Sequence, residues 1–213
     1  MKNVLLIGDS IRMGYDKAVK LTLDGIANVH FPNDNCKFAA YVLRFLHEWE
    51  PKLPEGEKVD VVHFNAGLWD NLRIFGEEPQ TPIDVYAYYI ERICIRIKKL
   101  FPDAKVIFAT STSVLSEQMN KDFKRYNEDV EKYNAVACEI VKKHGFMVND
   151  LYAISKVLPE EAHSDAVHYY TAMGTEAFTN QVLSYLAEAL DLESVPEYKE
   201  SIYTDKPIMV IGI

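Results

Sequence analysis

Short apolar runs rich in Val, Ile and Phe alternate along this chain with longer segments of helical periodicity, and that alternation leaves few folds open. The runs cover residues 4–7, 27–31, 59–64, 105–110 and 146–148, and the helical segments residues 37–49, 84–101, 121–144 and 172–190. In the second helical segment Ile90, Ile93, Ile97 and Leu100 recur at three- and four-residue spacing, which makes one apolar face. Gly145 follows Lys142, Lys143 and His144, a helix stop with basic residues where the helix dipole favours them. Strands separated by helices imply right-handed crossovers and a parallel sheet covered on both faces. The reading is one α/β domain over residues 1–192, a three-layer α/β/α sandwich around five parallel strands, with residues 193–213 as a C-terminal tail. The tail ends in an uncharged apolar segment, residues 208–213, which is expected to pack on its own domain or to pair with a second subunit in a homo-oligomer.

Composition narrows the function classes. A chain of 213 residues has ample size for one enzyme-sized core. Its net charge of −9 argues against a nucleic-acid or anionic-membrane surface, since both demand clustered positive charge. No apolar run approaches the roughly 20 residues needed to span a bilayer, and the four apolar residues after Asn3 are too few for a signal-peptide core. Cytoplasmic localisation is therefore expected. Cys36, Cys94 and Cys138 are scattered and odd in number, as reduced thiols would be. With neither a Cys-x-x-Cys pair nor a His-x-His cluster, no metal and no cofactor is expected.

In a parallel sheet of this kind ligands bind beyond the carboxyl ends of the strands. The loops to inspect are residues 8–10, 32–35, 65–71, 111–116 and 149–168. In the first, "VLLIGDSI" places Ser10 directly after a buried strand. A serine hydroxyl becomes a nucleophile only beside a base, usually a His oriented by a carboxylate. "SDAVHYY" supplies Asp165 and His168, three residues apart, ahead of the last helix. Each signal has a plainer reading: Ser10 as a helix N-cap, and Asp-x-x-His as a solvated turn. Asp150 is a rival acid or a cap after the fifth strand, and His163 a rival base without an acid at the same spacing. His30, His47, His63 and His144 read as core, surface or helix-end residues.

"IGDSI", "YNAVACEIVKKHGFMVNDLY" and "DAVHYYTAMG", in this order, resemble the SGNH hydrolases, also called GDSL-type esterases and lipases, over about residues 4–190. The resemblance implies a flavodoxin-like fold and metal-free acyl hydrolysis, with Ser10 as nucleophile, His168 as general base and Asp165 as its orienting acid. Asp9 becomes the acid that positions the loop. Ser10's own backbone N–H is then one oxyanion donor.

Two of the family's sequence blocks depart from pattern. The second normally supplies a glycine amide to the oxyanion, but "FPNDNCKF" has no glycine, and the nearest match is Asn35 at an expected helix start. The third, normally Gly-x-Asn-Asp, reads Gly67, Leu68, Trp69, Asp70. Either the Trp69 indole N–H or the Asn65 amide is left to replace the missing donor; otherwise Trp69 is a wall of the acyl or sugar pocket, beside Tyr169 and Tyr170. The implied activity is hydrolysis of a short-chain ester, above all deacetylation of a small soluble carbohydrate, through an acyl-enzyme. The alternatives are lysophospholipase or thioesterase chemistry, or a degenerate member that binds a ligand or partner.

Overall fold

The computed structural model describes residues 1–200; the apolar segment 208–213 lies outside the described residues. Five strands make the main sheet: β1 (Lys2–Ile7), β2 (Ala27–His30), β3 (Val61–Phe64), β5 (Lys105–Ala109) and β7 (Met147–Asn149). Their order is β2-β1-β3-β5-β7, and every pairing is parallel. β1 shows why the sheet is central. Val4 and Leu6 point into one apolar cluster and Leu5 and Ile7 into the other, so strand alternation buries both faces. The chain steps outward from β1 to β2, then crosses back to β3 on β1's other side. That reversal opens a crevice beyond the ends of β1 and β3.

On one face α1 (Ser10–Thr22) packs against α6 (Ala172–Leu190), with Ile11, Tyr15 and Val19 in the same core as Phe178, Val182, Leu183 and Leu186. Full burial of each aliphatic side chain is worth roughly 1.5–3 kcal/mol. The short α5 (Leu151–Val157) lies on this face through Leu151 and Tyr152. The opposite face is covered by α2 (Ala39–Phe45), α3 (Ile83–Leu100) and α4 (Asn127–Lys143). Ile90, Ile93 and Ile97 of α3 are fully buried, as their spacing requires, while Leu100 is half-buried. Gly145 follows α4 with φ +76°, the left-handed conformation that glycine adopts without cost.

The five-stranded α/β/α sandwich is the fold expected, with differences at the edges. The fourth helix starts at Asn127 instead of 121, because part of the preceding segment is extended. There β6 (Phe123–Lys124) pairs antiparallel with β4 (Arg73–Ile74), a two-stranded ribbon apart from the main sheet. Cys36 and Cys94 are buried, Cys138 is half-buried, and all three are unbridged. Among the described residues no helix is long and apolar enough to cross a membrane.

Candidate active site

β1 ends at Ile7 and the chain turns at once into α1. The turn depends on Gly8: a Cβ there would stand 1.8 Å from Asn65 Oδ1 and 2.8 Å from the Cβ of Arg12. Asp9 is the N-cap, its Oδ1 accepting from the Ile11 amide at 3.0 Å. Ser10 is thus the first residue of the helix and not its cap, and its N–H is among the donors a helix leaves unpaired at its start. Burial pushes the Asp9 carboxyl above its ordinary range, partly offset by Asn65 and the Ile11 amide. Arg12 locks the turn from within. Its guanidinium donates to the carbonyls of Gly8 and Asp34 and forms a buried ion pair with Asp16. The loop after β2 is thereby tied to the nucleophile turn, and the Cys36 amide reinforces this by donating to the Gly8 carbonyl at 3.2 Å.

The loop before α6 comes to the same place. His168 Nε2 lies 2.8 Å from Ser10 Oγ, and His168 Nδ1 lies 2.7 Å from Asp165 Oδ2. Asp165 divides its oxygens between two tasks. Oδ1 accepts from the Val167 and His168 amides, both at 2.8 Å, which folds the three-residue turn, while Oδ2 faces the ring. Burial alone would raise the Asp165 pKa; the hydrogen bond and charge of His168, with the two amides, outweigh it and hold the carboxyl well below the usual carboxylate range. Tyr170 stacks on the His168 ring with centroids 4.8 Å apart, and its hydroxyl donates to the Ser10 carbonyl at 2.6 Å. Gly14 leaves room for that ring, since a Cβ there would lie 2.9 Å from Tyr170 Cε1.

The rivals fall elsewhere. Asp150 caps α5, its Oδ1 accepting from the Ala153 amide and the Thr110 hydroxyl. His163 lies against Tyr169 with centroids 3.9 Å apart. His63 is sealed in the core edge-on to Tyr15, where burial pulls its pKa down to about 4.

The expected oxyanion and pocket residues need correction in part. Tyr169 is 3% exposed, packs on Phe178 and exchanges hydrogen bonds with Ser113; with Tyr170 it lines a small crevice between Ile11, Gly14 and Phe178. Tyr170 is engaged with Ser10 and His168, as described. Asn35 is not at a helix start, because α2 begins at Ala39; its Oδ1 instead accepts from the Lys37 amide at 3.0 Å. Lys37 holds a left-handed φ of +50°, a conformation that suits the glycine this loop lacks. Gly67 has φ +142° and abuts Ser111 and Tyr86, so the third block's glycine is sterically required. The Asn65 side chain is buried between Gly8 and Asp9. Asp70 reaches across to accept from the Ala39 amide at the start of α2, and burial pushes its pKa up to about 6. Trp69 is half-buried, with no hydrogen-bond partner among the described residues.

Sequence reasoning missed Arg12, the Tyr170–Ser10 bond and Arg125. Arg125 follows β6 directly, is only 5% exposed, and donates from Nε to the carbonyl of Leu68 in the third-block loop. An isolated arginine in a polar loop carries no spacing signal. The β4–β6 pairing that brings it to Leu68 joins segments too short to show periodicity.

Comparison with protein-family models gives no match, and comparison with curated proteins gives none either. Comparison with solved structures gives many. A lipase/acylhydrolase from Enterococcus faecalis superposes with a TM-score of 0.67 at 20% identity, over 94% of this chain and 100% of that one. A GDSL-like lipase from Bacteroides thetaiotaomicron gives 0.68 at 17% identity, over 88% and 89%. An acetylxylan esterase from Geobacillus stearothermophilus gives 0.64 at 16% identity, over 90% and 95%. At these identities the likeness establishes the fold: this chain has the fold of GDSL-like lipases, acylhydrolases and esterases.

Proposed function

We propose that the protein is a serine esterase that hydrolyses a short-chain acyl ester through an acyl-enzyme. The observation that carries this reading is the hydrogen-bonded series Ser10 Oγ–His168 Nε2 and His168 Nδ1–Asp165 Oδ2, at 2.8 and 2.7 Å. Ser10 Oγ attacks the ester carbonyl carbon and gives its proton to His168 Nε2, while the carbonyl π pair moves onto oxygen. Collapse of that oxyanion expels the alkoxide, which takes the proton from His168. Water, deprotonated by the same ring, then attacks the acyl carbon and releases Ser10. Asp165, held ionised by its three hydrogen bonds and the charge of His168, fixes the tautomer and stabilises the imidazolium.

An acetylated carbohydrate is the substrate class we favour. An aromatic residue, Trp69, follows the constrained Gly67 in the third-block loop, and aromatic faces suit sugar rings. Two of the structural neighbours are acetyl xylan esterases. The experiment compares 4-nitrophenyl acetate with longer acyl esters and measures acetate released from acetylated oligosaccharides. Acetyl should be preferred, and Ser10→Ala should cost roughly 10⁴- to 10⁶-fold in kcat. Full activity in Ser10→Ala overturns the mechanism; a strong preference for long chains overturns the acetyl reading.

A further inference from the structure

Burying a guanidinium is costly unless its donors are matched, and the two deeply buried arginines of this fold solve that problem differently. Arg12 spends its donors on Gly8, Asp34 and Asp16. Arg125, 5% exposed, uses Nε on the Leu68 carbonyl, and among the described residues Nη1 and Nη2 have no hydrogen-bond or ion-pair partner. The cost is visible in its acidity: burial pulls its pKa down to about 10, against the opposing pull of Asp9 and Asp165.

Those two carboxylates belong to the candidate site. Asp9 directly precedes Ser10, and Asp165 is two hydrogen bonds away from it through His168. Both carboxylates act on the Arg125 charge, and the contact that fixes its place is the hydrogen bond to the third-block loop. Its tether, the Leu68 carbonyl, belongs to the residue immediately before Trp69, where the third block ordinarily carries the asparagine donor. Asn65, the other candidate, is buried between Gly8 and Asp9.

We propose that the Arg125 guanidinium is the side-chain oxyanion donor of this site, taking over the task of the asparagine that Trp69 replaces. This rests on the hydrolase reading above. When Ser10 adds to the ester carbonyl, the new alkoxide oxygen accepts from the Ser10 amide and from an Arg125 Nη–H; no proton leaves the guanidinium. A charged donor offsets developing negative charge more strongly than a neutral amide does. The buried cation thus meets its counter-charge in the transition state.

The test measures kcat and KM on uncharged 4-nitrophenyl acetate for the wild type, Arg125→Ala and Arg125→Lys, with unfolding curves for each, and the rate of Ser10 labelling by a fluorophosphonate. Arg125→Ala should lose about 10²- to 10³-fold in kcat with KM moved less than about threefold. Millimolar guanidinium should restore part of the loss, and so should Trp69→Asn in the same chain. If Arg125→Ala does not fold, Arg125→Lys carries the test: a lysine keeps the charge without the fork, and its kcat should still fall at least tenfold. An active, labelled wild type with unchanged variants overturns this assignment alone. So does a variant whose only defect is a raised KM for 4-nitrophenyl succinate, since Arg125 would then anchor an anionic substrate group. A wild type that neither hydrolyses nor is labelled overturns the hydrolase reading and this assignment together.

Discussion

Tyr170 holds Ser10 by the backbone: its phenol donates to the Ser10 carbonyl at 2.6 Å while its ring lies stacked on His168. One side chain thereby touches both the residue proposed as nucleophile and the residue proposed as base. Tyr170→Phe keeps the stack and deletes the bond. A hydrogen bond of this kind is worth about 1 kcal/mol, so the melting temperature should fall by about 2–4 °C and kcat on 4-nitrophenyl acetate by about 5-fold. An unaltered kcat would mean that the bond does not position Ser10.

Gly8→Ala should be far more damaging than its size implies. The added methyl would overlap Asn65 Oδ1 at 1.8 Å and crowd Arg12. Relieving that moves either the β1–α1 turn or the third-block loop, at a cost of about 2–3 kcal/mol. Urea unfolding reads this directly, and a variant as stable as the parent would show that the turn has slack.

Arg12→Ala should destabilise by about 3–5 kcal/mol, because it leaves Asp16 charged and buried without its partner. Arg12→Met combined with Asp16→Leu removes both charges and should recover most of that loss. The double-mutant cycle measures the coupling; additive single effects would refute the ion-pair account.

Two buried groups should give opposite pH slopes. The Asp70 pKa is pushed up to about 6 by burial, so the folded state binds this proton more readily than the unfolded one. Stability from this group is present in acid and is lost as pH rises from about 4 to about 6. The His63 pKa is pulled down to about 4 by burial; here the unfolded state protonates first, and stability is lost as pH falls from about 6.5 to about 4. Relative to wild type, Asp70→Asn should gain stability as pH rises across its window, and His63→Gln as pH falls across its own. Each change should be roughly 3 kcal/mol by denaturant titration; parallel curves for wild type and variants would contradict both.

The main sheet was legible because its strands are apolar on both faces and its long helices repeat at three and four residues. Ser10, Asp165 and His168 stood out because each sits in a loop at a strand end or just before a helix, in an order a known family shares. Short elements were not legible. The β4 and β6 strands have two residues each, too few for alternation to show. Tyr169 and Tyr170 are adjacent and identical in type, and only packing separates them: one ring goes into the core against Phe178, the other onto His168. Asn35 was misplaced because α2 has Phe38 at its cap position and draws its capping carboxylate from Asp70, 31 residues away from Ala39.

The residues proposed for acyl transfer and the buried Arg125 cation hang from different sheets. Ser10 follows a strand of the five-stranded sheet, whereas Arg125 and the loop it grips are joined by a two-stranded ribbon outside it. Substitutions in that ribbon can therefore shift the proposed oxyanion donor without disturbing the register of β1 or the turn that presents the serine. The nucleophile and the proposed oxyanion donor are mounted on separate parts of the frame, so a lineage can retune the second while inheriting the first.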